Sequence, residues 1–325
     1  MRKIEFTVFG GPDVLRVIEC ERPTPESGQV TIDVTHIGVG LVDALLRAGL
    51  VALPLPFTPG LEVAGHIADV GPGVAGLQIG QPVVALLLLN FGGYATTVAA
   101  PATSVIPLHG THVDLQTAAA CIVNFTTAYI LFGQIAPVGP GSRILVHGAS
   151  GGLGTACVKM ARALGVSDIV ATTTSPAKAI YLTDIGASAV LAASNLKDGP
   201  GPSGTDGAFD VILDPVGGEV RQLSLAVLKP RGKLLVVGGA ENSVDILLSS
   251  TAIWLNNAEV IGVNIGAMSA ADPARVTAAG RAVIEMFGDG RLTLGAVQVL
   301  PFTSAAEAHR RLEAKEVVGK LLLAT

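Results

Sequence analysis

The chain has 325 residues; half of them are apolar, 14% are charged, and the net charge is −5. It is long enough for two domains and too apolar to stay disordered. It has no basic stripe or Lys/Arg cluster, so nucleic acid and anionic membranes are not expected partners. The cysteines, Cys20, Cys121 and Cys157, are isolated and odd in number. That pattern argues against a disulfide framework and a Cys-rich zinc lobe, and suits a cytoplasmic protein.

The first hundred or so residues are rich in Gly/Pro punctuation. Strands are expected at 4–9, 15–20, 30–36, 83–89 and 94–99, with a loop, a strand and a turn across 59–73. No apolar leader precedes the first of them. The pattern fits a mostly antiparallel, partly closed barrel. Residues 115–142 carry no charge, and 118–136 are strongly apolar. Asn124, Thr126, Thr127 and Gln134 interrupt this stretch, which reads as a buried helix rather than a membrane span.

After about residue 120 the rhythm changes to alternating strands and helices, the signature of a parallel doubly wound α/β sheet. Strands are expected at 144–147, 168–172, 189–191, 209–213, 233–237 and 259–263. Ser175-Pro176 reads as a helix start and Gly186 as a stop. The run 199–207 reads as a surface loop. The tail adds a helix (273–287), a strand (296–300), a helix (303–315) and a strand (320–323), and is expected to rejoin the first domain. The expected domains are therefore 1–120 with 265–325, and 121–264.

The most informative stretch is Val146-His-Gly-Ala-Ser-Gly-Gly-Leu-Gly154, a strand entering a glycine turn from which an amphipathic helix leaves. Such a turn cradles the pyrophosphate of a dinucleotide. Ala149 stands where the usual first Gly would be, followed by Ser150. Gly151 and Gly152 let the backbone approach phosphate oxygens, and Leu153 faces inward as the helix begins. Gly154 allows close packing of helix on strand. The unpaired amides of the first turn and the helix dipole favour an anion.

The chain resembles the medium-chain dehydrogenase/reductase superfamily, in its zinc-free quinone oxidoreductase (zeta-crystallin-like) branch. The carriers are Gly38-Val-Gly-Leu-Val-Asp43 with Arg47-Ala-Gly49; Pro56-Phe-Thr-Pro-Gly-Leu-Glu-Val-Ala-Gly65; Val70-Gly-Pro-Gly-Val74; Gly92-Gly-Tyr-Ala95; Thr127-Ala-Tyr129; the glycine turn; Asp210-Val-Ile-Leu-Asp-Pro-Val-Gly-Gly218; and Gly319-Lys320. The resemblance implies a GroES-like catalytic domain holding an inserted Rossmann domain. It also implies a homodimer that moves hydride from NADPH to quinones, enones or enoyl thioesters.

The choice of dinucleotide is read at the end of the second parallel strand. An acid there would bond the ribose 2′-OH of NAD. Thr173 occupies that place, and Thr174, Ser175 and Lys178 follow, a set suited to a 2′-phosphate. NADPH is the expected cofactor. By resemblance Lys178 contacts the 2′-phosphate and Lys315 stands where a C-terminal arginine assists in some relatives. Thr127 would touch the nicotinamide, which Gly238, Gly239, Ala240, Val263 and Asn264 would line.

Zinc-using relatives place a Cys just before Asp43 and a His where Leu61 stands. Only Glu62 remains here, and one carboxylate does not hold zinc, so no metal is expected. The branch's usual Asn is replaced by Gly40, and its occasional Tyr residues by Leu45 and Val51. An emptied pocket of this kind suits a small hydrophobic substrate with bulk, protonated from solvent. Asp43, Tyr94, Asn124 and Thr127 are the candidate catalytic residues, although Asp43 also reads as a structural carboxylate. The alternative is a nucleotide-binding scaffold with little redox turnover, either a structural or regulatory module or a non-redox cyclase. The segment 244–263 is apolar enough to extend a sheet across two subunits.

Overall fold

The structure is a computed structural model that describes residues 1–193, 209–240 and 246–325. The expected loop at 199–207 and the first two residues of the apolar segment 244–263 lie outside these. The chain forms two compact units, one of Met1–Thr126 with Ile265–Thr325 and the other of Thr127–Asn264.

The first unit opens with a two-stranded antiparallel ribbon, β1 (Arg2–Glu5) and β2 (Arg16–Glu19). Then come β3 (Gln29–Val39), α1 (Leu41–Ala48), β4 (Glu62–Val70), β5 (Pro82–Leu86), β6 (Thr97–Pro101), β7 (Val105–Pro107) and α2 (Leu115–Ile130). β3 is the hub: it pairs antiparallel with β4 along most of its length and with β6 along its first half. Its bulges opposite β4 bend the strand, as closure of a barrel-like sheet requires. Val30, Ile32, Val34, Ile37 and Val39 point inward and join Ile4, Phe6, Val63, Leu87 and Tyr94 in one core. Gly65 permits the tight pairing, because a Cβ there would lie 1.9 Å from the Asp33 carbonyl oxygen.

The second unit is a six-stranded parallel sheet. It contains β8 (Arg143–Val146), α3 (Gly152–Ala163), β9 (Asp168–Thr173), α4 (Ala179–Asp184), β10 (Ala189–Ala192), β11 (Phe209–Asp214), α5 (Glu219–Val227), β12 (Leu228–Val236), α6 (Ser250–Leu255) and β13 (Glu259–Gly262). The strand order is β10-β9-β8-β11-β12-β13. β8 therefore sits between β9 and β11, and the winding reverses at the β8/β11 pair. In sheets of this kind ligands bind outside the carboxyl ends of the strands at that reversal. β8 and β11 are short and fully apolar at their centres, as a strand covered on both faces must be.

The chain then returns to the first unit with α7 (Ile265–Ala271), α8 (Pro273–Gly288), β14 (Val297–Pro301), α9 (Ala305–Glu313) and β15 (Lys320–Ala324). β15 pairs antiparallel with β3, and β14 extends the same sheet. Asp272 caps α8 by accepting from the Arg275 amide.

Several local expectations change. The strand expected at 4–9 is Arg2–Glu5, and the one expected at 94–99 is Thr97–Pro101, with Phe6 and Ala95 left in isolated bridges to Phe57 and Lys3. Ser175 does not cap a helix with its hydroxyl; Pro176–Lys178 form a 3-10 turn leading into α4. The stripe expected on α3 is broader than one face, since Gly154, Thr155, Ala156, Cys157, Val158, Met160 and Ala161 are all buried. Helix α2 with its π-helical extension, Leu131–Ile135, is long and apolar enough to cross a membrane by length and composition. However, 61% of its most apolar window is buried within the protein.

Candidate functional site

The glycine turn lies at the carboxyl end of β8. Gly148 turns the chain with φ of +58°, and the Ala149 amide is tied to the Thr172 carbonyl at 3.3 Å. Gly151 precedes α3 with φ −81° and ψ 177°, which directs the first helical amides, those of Gly152, Leu153 and Gly154, outward from the helix start. A Cβ on Gly154 would lie 2.4 Å from the Gly148 carbonyl oxygen and 2.5 Å from Ala149 Cα. The third glycine is therefore set by backbone packing. A Cβ on Gly151 would meet the Gly148 oxygen at an ordinary 3.5 Å, so the protein itself leaves this position free. Its glycine instead keeps clear the face that an anion would approach. Residues 148–154 thus form a cradle with donors, a positive helix end and room for phosphate oxygens.

Beside it, Thr173 ends β9. Its hydroxyl accepts from the Ser175 amide at 3.1 Å and donates to the Ser175 carbonyl at 3.2 Å. It is 8% exposed and shapes the loop, whereas Thr174 is exposed and Ser175 half-buried. Lys178 closes the 3-10 turn, and partial burial lowers its pKa. No carboxylate stands at the end of β9.

Further along the same edge, β12 leads into Gly238, Gly239 and Ala240, and β13 into Val263 and Asn264. The Val263 amide bonds the Val236 carbonyl at 2.9 Å, and the Ala240 amide bonds the Pro215 carbonyl at 3.0 Å. Ala149 to Gly154, Thr173 to Lys178, Gly238 to Ala240 and Val263 with Asn264 all follow carboxyl ends of parallel strands, so the second unit presents them along one edge. Thr127, 8% exposed, lies in α2.

Sequence reasoning gave no role to Asp214, Arg221 or Tyr181 and read His147 as packing. Asp214 and Arg221 pair beneath this edge through Arg221 Nε and Asp214 Oδ2 at 2.6 Å. Tyr181 meets the Thr155 hydroxyl at 3.0 Å and so links α4 to α3. His147, fully buried, bonds Thr172 Oγ1 through Nδ1 at 3.1 Å and Ser224 Oγ through Nε2 at 3.0 Å. Burial lowers its pKa to about 4.

In the first unit two of the candidate catalytic residues, Asp43 and Tyr94, are structural in their contacts. Asp43 is 1% exposed, and its two oxygens accept from the amides of Gly40 and Gly60, each at 2.9 Å. It caps α1 and ties the loop before β4 to it, and burial raises its pKa to about 6. Tyr94 is fully buried with its hydroxyl on His309 Nε2 at 3.0 Å. The sequence offered both as catalytic candidates and also read Asp43 as a structural carboxylate; the second reading of Asp43 is the one its bonds follow, and the Tyr94 hydroxyl is likewise given to the protein. Asn124 is half-buried on α2. Lys315 is exposed and left-handed, with φ of +57°, just past the end of α9.

Glu62 is 2% exposed. One oxygen pairs with Lys320 and the other accepts from the Val123 amide at 2.8 Å. A carboxylate neutralised by a buried ammonium is a poor zinc ligand. Among the described residues no three His, Cys, Asp or Glu side chains gather where a metal ion would need them.

Sheet, cradle and β-domain define a two-domain dinucleotide-binding protein. Comparison with known proteins narrows this. Residues 26–110 match the alcohol dehydrogenase GroES-like domain, and residues 152–280 match the family described as zinc-binding dehydrogenase. A quinone oxidoreductase of Rattus norvegicus is 32% identical over 329 residues, covering 99% of this chain and 97% of that protein. The Escherichia coli quinone oxidoreductase in complex with NADPH superposes with a TM-score of 0.90 at 25% identity, covering 100% of both chains. The CurK enoyl reductase gives 0.85 at 25% identity, over 99% of this chain and 98% of that one. The chain belongs to the medium-chain dehydrogenase/reductase superfamily, in its quinone oxidoreductase (zeta-crystallin-like) branch.

Proposed function

We propose that this protein is an NADPH-dependent oxidoreductase that transfers hydride to a quinone or to an activated C=C bond of an enone or enoyl substrate. The observation that carries this reading is the cradle 148–154 at the reversal of the parallel sheet. Supporting it is the likeness to an NADPH-complexed quinone oxidoreductase and to an enoyl reductase.

The cofactor supplies the hydride when bound. The protein's part is to bind, orient and exclude water. The amides of Gly152, Leu153 and Gly154 would hold the pyrophosphate. Thr174, Ser175 and Lys178 would hold the 2′-phosphate. Thr127, Gly238, Gly239, Ala240, Val263 and Asn264 would face the nicotinamide. Reduction leaves an enolate or hydroquinone anion. With Asp43 and Tyr94 committed to internal bonds, the proton comes from water.

The substrate in this reading is hydrophobic. Gly40, Leu45 and Val51 carry no polar side chain, and an open groove of about 460 Å³ in the first unit is lined mainly by Leu53, Pro54, Pro56, Phe57, Leu89 and Phe91, with Thr58 and Asn90 as its polar members and no ionisable group. The reaction needs no metal, in keeping with the Glu62 pairing to Lys320. The working state is a cytoplasmic homodimer. β13 is an edge strand of the parallel sheet, and Trp254 and Leu255 on the neighbouring α6 are 74% and 66% exposed, an apolar margin suited to a second copy. Neither a nucleic acid nor a membrane is part of this reading.

The test is to mix the protein with NADPH and a panel of quinones and α,β-enones and follow the loss of nicotinamide absorbance. Consumption of NADPH on at least one class is expected. Binding without consumption across the panel would favour the non-redox scaffold. Lys178→Ala should weaken NADPH binding about tenfold or more while NADH is unaffected, because one charge-assisted phosphate contact is lost. Light scattering of Trp254→Arg should report monomers.

A further inference from the structure

Asp214 ends β11, beside the reversal of the sheet, and is fully buried. Its Oδ1 accepts from the amides of Val216 and Gly217, both at 2.8 Å, which fixes the turn after the strand. Its Oδ2 accepts from Arg221 Nε at 2.6 Å. The same guanidinium reaches the next strand's exit, where Nη2 donates to the Gly238 carbonyl at 2.6 Å. Two backbone bonds close the frame, Val237 amide to Asp214 carbonyl and Ala240 amide to Pro215 carbonyl, each 3.0 Å.

The frame also touches the phosphate turn. A Cβ built on Gly148 would meet Pro215 Cγ at 3.5 Å and Val216 Cγ2 at 3.6 Å, so the 214–217 turn packs against the cradle. On its other side Gly217, with φ of +85°, lies where a Cβ would be 3.3 Å from Arg221 Nη2 and 3.4 Å from Gly239 Cα. The Arg221 side chain thus joins the 214–217 turn, which packs on Gly148 of the pyrophosphate turn, to the segment Gly238 to Ala240. A carboxylate that only satisfied its own turn would not need the arginine. An arginine that only neutralised the carboxylate would not need the carbonyl of the neighbouring loop. The planar fork serves both at once.

We infer that Asp214 and Arg221 form a latch that sets the spacing between the pyrophosphate cradle and the Gly238 to Ala240 segment, and so positions the nicotinamide half of the dinucleotide. Neither residue touches the cofactor; both are positioning residues. The inference rests on the dinucleotide reading above. Its signature is selective. The 2′-phosphate and adenosine half is held at the ends of β8 and β9, so its binding is independent of the latch.

The experiment compares dissociation constants for NADPH and for adenosine 2′,5′-bisphosphate in the wild type, Asp214→Asn, Arg221→Met and Arg221→Lys. Asn at 214 keeps an acceptor for the turn but turns an N–H donor toward Arg221. Lys at 221 keeps the charge but has a single nitrogen where Arg221 uses Nε for Asp214 and Nη2 for the Gly238 carbonyl, so it does not hold both acceptors at their present spacing. Thermal melts of each variant separate loss of folding from loss of the latch. NADPH affinity is expected to fall about tenfold in each variant, about 1.4 kcal/mol, with bisphosphate affinity unchanged. The Asp214→Asn/Arg221→Met double variant should lose no more than either single one. Equal weakening of both ligands, or unchanged NADPH binding in Arg221→Lys, overturns the latch. If the wild type binds neither ligand, the dinucleotide reading itself fails, a separate result.

Discussion

Gly154→Ala tests the cradle through the sign of a stability change. Alanine is the better helix former by up to about 1 kcal/mol, so on propensity alone the variant would be more stable. The structure says otherwise. The new Cβ would lie 2.4 Å from the Gly148 oxygen, 2.5 Å from Ala149 Cα and 2.9 Å from the Ala149 carbonyl carbon, all backbone. No side-chain rotation relieves this, so α3 must move off β8. Overpacking costs about 1–3 kcal/mol, and three backbone contacts under 3.0 Å put this case at about 2–3 kcal/mol, leaving a net loss of roughly 1–2 kcal/mol after the propensity gain. For a unit of this size that lowers Tm by roughly 3–6 °C. The chain has two units, so the melting transition to follow is the one that NADPH raises. Gly151→Ala is the control. Its Cβ meets only the Gly148 oxygen at 3.5 Å, and φ is −81°. Its Tm should stay close to that of the wild type while NADPH affinity falls. A Gly154→Ala protein that melts at or above the wild-type temperature would refute the packing argument.

Asp43, whose pKa burial raises from 3.8 to about 6, stabilises the fold fully below pH 4, and that contribution is lost as pH rises through 6. The swing is on the order of 3 kcal/mol. Asp43→Asn cannot ionise, so the stability gap between it and the wild type should change across this window in denaturant melts; a constant gap would contradict the assignment. His147 works in the opposite sense. Its folded pKa is about 4 against an ordinary 6.5, because burial disfavours the cation, so its contribution is present above pH 6.5 and lost as pH falls through 4. His147→Asn should flatten the acid-side fall of the NADPH-responsive transition. Glu62→Gln leaves Lys320, 6% exposed, without its carboxylate, and should cost about 3–5 kcal/mol. Adding Lys320→Met should recover part of this; simple additivity in the double-mutant cycle would show that the pair is not coupled.

Much of the fold was legible. The expected strands at 144–147, 168–172 and 189–191 fall on β8, β9 and β10 within a residue or two, because each is a short apolar run that follows a glycine by two to three residues (Gly141, Gly165 and Gly186). Gly154 was assigned to close packing and is found there. The assignments that changed concern strand ends in the first unit, the width of the buried face of α3, and single polar side chains. Ser175 looked like a cap because Ser-Pro often starts a helix, but Thr173, two residues back, holds that loop.

The order of residues alone determined the two rhythms, β-rich then alternating, and the glycine-coded turn between strand and helix. These are local properties, set by the spacing of apolar side chains and by the φ range open to glycine. Only tertiary structure decided where the buried charges spend their hydrogen bonds. Asp43 serves Gly40 and Gly60, Tyr94 serves His309, Glu62 serves Lys320 and Asp214 serves Arg221. A carboxylate or phenol has several possible partners, and the choice depends on which distant strand or loop the fold brings within 3 Å. That choice separates a residue free to meet substrate from one that holds the site's frame.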